Sequence, residues 1–192
     1  MYTIEKLLSS LCDPTNCRER RRIIFDAGKH YVLHFRIDGV FITDKNIQKN
    51  DCLVIYNQPD SQQISFLFLA EVKKRSYTID EVVSQLQTGR DILNDVFHKL
   101  SKINNPYAVY KLLPKVYQTK ATANLVLQSL ERIRKNKYTF IPILCAKKNK
   151  SIYHRFLSPR FKIRNGNNTI PIVYLERNTD VIAAMYRKKY IE

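Results

Sequence analysis

The chain has 192 residues, 44% of them hydrophobic, which is ample for one packed domain or for a core with one appendage. Thirty-three Lys and Arg against 17 Asp and Glu leave a formal charge of +16, a surplus that argues against a small-metabolite enzyme and for a polyanionic partner, nucleic acid first. No apolar run approaches the ~20 residues of a membrane span, Glu5 and Lys6 interrupt any N-terminal leader, and Cys12, Cys17, Cys52 and Cys145 lack the paired spacing of a zinc site, so a cytoplasmic protein with reduced, half-buried thiols is expected.

In chain order, Ile4, Leu7, Leu8 and Leu11 form one stripe and predict a short helix ending before Asp13-Pro14. The basic cluster CRERRR (17–22) leads to strand patterns at 30–37 and 40–43, joined by Asp38-Gly39, a strong hairpin signal whose turn role accounts for Asp38 and leaves it second choice to Asp51 as a metal-binding acid. Two apolar runs follow, DCLVIY (51–56) and ISFLFLAEVK (64–73). The NQPDSQQ between them is rich in chain-reversing residues, so the pair reads as an antiparallel hairpin. Folded about its middle, it sets Asp51 opposite about Leu69, with Glu71 about 7 Å further along at ~3.3 Å per residue, bridging distance for one or two hydrated metal ions. Glu71 and Lys73 share a face because side chains alternate along a strand.

From Thr78 the period becomes helical for about 22 residues, with Ile79, Val82, Val83, Leu86, Leu93, Val96, Phe97 and Leu100 on one side. Thr78 and Glu81 make a capping box at its start. A polar stretch holding Asn104, Asn105, Pro106 and Pro114 precedes a second helix near 121–135. Residues 138–146 read as a strand that Pro142 assigns to a sheet edge or bulge. The segment 147–168 reads as irregular and basic, 169–175 as the last strand, and 179–190 as the last helix. This order implies a layered α/β architecture, with residues 1–192 as a single domain: a core at about 1–146 and a basic extension at about 147–192.

Between Arg132 and Leu175 there are 11 Lys or Arg and no Asp or Glu. Arg155, Arg160, Lys162 and Arg164 are therefore candidate nucleic-acid contacts. The interleaved Tyr153, Phe156 and Phe161 read as core residues with snorkelling basic neighbours rather than as base-stacking platforms.

An acid at one mouth of a strand hairpin, Glu-x-Lys at the other and an amphipathic helix directly after resembles the core of the PD-(D/E)xK, or restriction-endonuclease-like, nuclease superfamily over roughly residues 30–100. The resemblance implies an α/β fold with a mixed central sheet flanked by helices. It implies Asp51 and Glu71 as Mg²⁺ ligands, with Mn²⁺ able to substitute, Lys73 orienting or deprotonating the attacking water, and Gln85 pointing back toward the lysine. DNA is the implied substrate, RNA is not excluded, and no membrane association is expected. Paired sites in a homodimer, or a larger nuclease complex, fit the same resemblance. The chemistry has physical reasons: carboxylates hold a hard cation that acidifies water and neutralises developing phosphoryl charge, and metal proximity depresses a lysine toward general-base work. Asn50 stands where the family has proline. The literal Pro59-Asp60 sits at the expected hairpin tip, about 30 Å of regular strand from Glu71, and is set aside. Glu5 or Glu19 could supply the further acid that some members draw from the first helix.

Overall fold

A computed structural model describes residues 4–12, 23–24, 31–37, 51–58, 64–73, 77–100, 102–103, 105–146, 161–176 and 179–180. The first element, α1 (Ile4–Ser9), buries Leu7 and Leu8 and leaves Glu5 and Lys6 exposed. The two-residue strand β1 (Ile23–Ile24) follows, then β2 (Val32–Arg36), β3 (Cys52–Asn57) and β4 (Ser65–Lys73) in antiparallel succession. Helix α2 (Ile79–Leu100), helix α3 (Pro106–Leu112), a 3₁₀ turn (Lys115–Tyr117) and helix α4 (Lys120–Arg134) then carry the chain to β5 (Tyr138–Ala146), which lies parallel to β4. The hairpin β6 (Lys162–Asn165) and β7 (Asn168–Pro171) is followed by β8 (Val173–Glu176), parallel to β5, and by β9 (Thr179–Asp180), parallel to β1.

The central sheet runs β2-β3-β4-β5-β8 and is mixed, as an α/β fold with a parallel crossover requires. Both faces are buried. One carries Leu33, Leu53, Ile55, Leu67 and Leu69 against α1, α2, α3 and α4. The other gathers Val54, Tyr56, Phe68, Ala70, Val72, Ile143 and the thiols of Cys52 and Cys145. Helix α2 docks through Val82, Leu86, Leu93, Val96 and Phe97, all buried and recurring at helical spacing. Helix α4 ends in a left-handed Asn136 at φ 54°, where the amides of Asn136 and Lys137 donate to the carbonyls of Ile133 and Arg132. That double closure stops the helix and starts β5 one residue later.

Five expectations need correction. The polar stretch after α2 contains α3, whose Asn105 side chain caps the Tyr107 amide and whose Pro106 occupies the first turn, where a missing N–H costs nothing. Strand β5 is central, not an edge; Pro142 is tolerated because β8 pairs only with Ile143 through Ala146, so there is no ladder to break on that side of Pro142. The segment read as irregular holds the β6–β7 hairpin. The expected last strand is two, β7 and β8, broken at Ile172 and lying in different sheets. Thr179 and Asp180, expected to open the last helix over 179–190, form β9 instead; the rest of that span, the 40–43 strand and the Asp38-Gly39 turn lie outside the described residues. Among the described residues no helix is long and apolar enough to cross a membrane.

Candidate active site

Strands β3 and β4 pair from Asn57 opposite Ser65 to Cys52 opposite Ala70. Leu69 faces Leu53, so the register is displaced by two residues from a hairpin folded about its middle. An even displacement leaves every side chain on its expected face. It also seats Tyr56 beside Phe66, rings 6.3 Å apart, and closes a buried network at the turn end. There Asn57 Nδ2 donates to Ser129 Oγ at 2.7 Å, and Ser65 Oγ donates to Asn57 Oδ1 at 2.6 Å.

At the open end the same register brings Asp51 to β4. Its amide donates to the Ala70 carbonyl at 3.1 Å and its carboxylate Oδ2 accepts from the Val72 amide at 2.7 Å, so Asp51 brackets the backbone of Glu71. Its carbonyl accepts from the Ile37 amide at 3.2 Å, tying the end of β2 to the same corner. Glu71 continues the face of Leu67 and Leu69, beneath α2, and is only 4% exposed. Lys73, two residues on, places Nζ 3.1 Å from Glu71 Oε1 and 2.6 Å from Glu81 Oε1.

Glu81 is the residue that sequence reasoning assigned elsewhere. Half of the expected capping box forms, since the Glu81 amide donates to Thr78 Oγ1 at 3.2 Å. The carboxylate goes to Lys73 instead, because a strand-end ammonium offers a charged partner where the cap would offer a neutral amide. The usable signal was a helix-start acid facing a lysine across the short strand-to-helix connection. Burial on its own would lower the Lys73 pKa, but the hydrogen bonds and charges of Glu81 and Glu71 outweigh it and hold Lys73 above its ordinary 10.5. Lys73 also holds the Glu81 carboxyl below its ordinary 4.5. With these partners and no cation bound, Lys73 is held toward its protonated form.

Gln85 lies one turn beyond Glu81, about 6 Å along the axis. It is 8% exposed, and its carbonyl Oε1 is buried with no hydrogen-bond partner. A buried acceptor left in that state costs about 1–3 kcal/mol and invites a donor such as water.

The corner thus unites Asp51, Glu71 and Lys73, with Gln85 on the adjoining turn of α2. Among the described residues no three His, Cys, Asp or Glu side chains cluster tightly enough to hold a metal ion. Glu5 is exposed on α1; Glu19, Asp60, Arg155 and Arg160 lie outside the described residues. Lys162 and Arg164 are exposed on β6, attached to α2 on another side. Phe161 is buried in the core. No protein-family model, no curated protein and no solved structure matches this chain.

Proposed function

We propose that this protein is a Mg²⁺-dependent nuclease that hydrolyses DNA phosphodiester bonds, with a restriction-endonuclease-like core. The observation that carries the reading is the corner itself: a carboxylate from Asp51 anchored on the Val72 amide, between the acid and the lysine of Glu71-Val72-Lys73, which contact each other at 3.1 Å. Two carboxylates are hard oxygen donors suited to Mg²⁺ or Mn²⁺, and the orphaned Gln85 acceptor suits a site that holds water. Asp51 and Glu71 would hold the ion, which when bound acidifies water and offsets charge on the phosphoryl group.

The side chains then divide the remaining work. Lys73, kept protonated by Glu71 and Glu81, presents positive charge to the scissile phosphate. Glu81 positions that ammonium and shares its charge. Gln85 Oε1 accepts a hydrogen bond from the attacking water and orients it without adding charge. Incubating supercoiled plasmid with Mg²⁺ and either wild type or Lys73→Ala tests the assignment. Nicking should fall at least about 10²-fold in the variant.

The formal +16 and the acid-free stretch from Arg132 to Leu175 also support a second reading, a non-catalytic nucleic-acid-binding protein or scaffold subunit that keeps the fold. Equal DNA binding with no cleavage by either protein would favour that reading.

A further inference from the structure

The β6–β7 hairpin is joined by Gly166 and Asn167, with Gly166 at φ 61°, the left-handed region that a two-residue turn opened by glycine requires. Gly166 and Asn167 are exposed, and among the described residues nothing lies within 4 Å of a Cβ built at Gly166. The base, by contrast, is fixed. Ile163 is buried and Ile170 packs against the core. The Gln87 side chain pairs with the Arg164 backbone in both directions, its Oε1 accepting from the amide at 2.6 Å and its Nε2 donating to the carbonyl at 3.3 Å. The guanidinium of Arg90, only 3% exposed, donates to the Asn165 and Asn94 side chains and lies 4.7 Å from the Phe140 ring centroid. A buried cation committed to a surface hairpin fixes the direction in which that hairpin points.

The exposed face of the hairpin carries Lys162, Arg164 and Thr169, and its turn end adds Asn167 and the exposed Asn168, which pairs with Asn165 on the opposite face; these are cations and neutral hydrogen-bonding groups within a stretch that holds no carboxylate. Two strands about 4.8 Å apart, with their side chains, enter a groove ~12 Å wide but not one ~6 Å wide. At ~100° per residue, Glu81 and Gln85 lie on one flank of the buried stripe of α2, and Gln87, Arg90 and Asn94 lie on the other. The corner and the hairpin therefore lie on opposite flanks of α2, with the hairpin contacts about 9–14 Å further along its axis than Glu81 at ~1.5 Å per residue.

We infer that the β6–β7 hairpin is a major-groove ribbon for duplex DNA, with Lys162 and Arg164 on flanking phosphates and the Asn167 and Asn168 amides on base edges. This deepens the nuclease reading and rests on it. The test measures fluorescence anisotropy of labelled duplex DNA, single-stranded DNA and duplex RNA with the full-length protein in EDTA, across a salt series and after selection of preferred duplexes from a random pool. Lys162→Ala/Arg164→Ala should weaken duplex binding for all sequences alike and make the slope of log K against log salt shallower by about 1.8, two contacts at ~0.9 each. Asn167→Ala/Asn168→Ala should keep the slope and reduce discrimination among selected duplexes by at least about fivefold. Circular dichroism checks that both variants fold.

Wild-type affinity and slope in the first variant, or tighter wild-type binding to single strands or RNA than to duplex DNA, would overturn the inference. Unchanged base preference in the second variant would overturn the base-reading role. If plasmid nicking still depends on Lys73 while the hairpin variants bind normally, the ribbon fails and the nuclease reading stands. A wild type that neither binds nor nicks DNA sinks both.

Discussion

At Gln85 a carbonyl oxygen lies buried in a helix–sheet interface without a donor, a cost of about 1–3 kcal/mol that folding alone does not explain. Gln85→Leu keeps the volume and removes the cost. Its thermal midpoint should equal or exceed that of the wild type, while plasmid nicking falls at least about tenfold. A midpoint lower by several degrees would mean that Oε1 has a stabilising partner. Glu81 makes a different prediction. Its carboxyl is held below the ordinary 4.5 by Lys73, so its contribution is fully present above that value and disappears as pH falls through the lowered one. Lys73, held above 10.5, contributes fully below that value and loses its contribution as pH rises through the raised one. The midpoint gap between wild type and Glu81→Gln should therefore be flat around neutrality and close in acid. The acid is a third exposed, so the gap corresponds to about 0.5–1 kcal/mol.

Among the elements, the β3–β4 hairpin is held at its turn end by Asn57, which both donates and accepts within a buried network linking β3, β4 and α4. Asn57→Ala leaves Ser65 and Ser129 without that partner and should cost about 2–3 kcal/mol, read as a lower urea midpoint at unchanged slope. Long patterned segments announced themselves in the sequence. The stripe of α2, the runs of β3 and β4, and the shared face of Glu71 and Lys73 follow from periods of 3.6 and 2, which tertiary packing preserves. What remained hidden depended on partners distant in the chain. Helix α3 is seven residues long and held by a cap and packing rather than by periodicity. The central place of β5 depends on where β8 stops. The division of 169–175 depends on two sheets competing for one run. The same rule separates the candidate residues: Asp51 lay two positions from its expected register without changing face, whereas the pairing of Glu81 with Lys73 crosses a strand–helix connection that no single-element pattern encodes.

For the molecule as a whole, a net charge of +16 coexists with a corner where Asp51 sits on the Val72 amide and Glu71 on an already partnered lysine. An ion bound there stabilises the folded chain by mass action, about 2.7 kcal/mol at 100 times its dissociation constant. Mg²⁺ or Mn²⁺ should raise the thermal midpoint of the wild type and leave that of Glu71→Gln nearly unmoved in differential scanning fluorimetry. Equal shifts in both would place cation binding elsewhere.

Arg132 reaches from α4 to the carbonyls of Gln58 and Ile64, at 3.3 and 3.1 Å, and so clasps both margins of the connection 59–63. With its ends pinned by a separate helix, that connection can be lengthened for roughly 0.6 kcal/mol of closure entropy per doubling. It enters β4 about 26 Å of strand away from Lys73. An affinity tag or dye-bearing insert grafted there would give a handle for tethering single molecules while leaving the opposite end of the strand undisturbed.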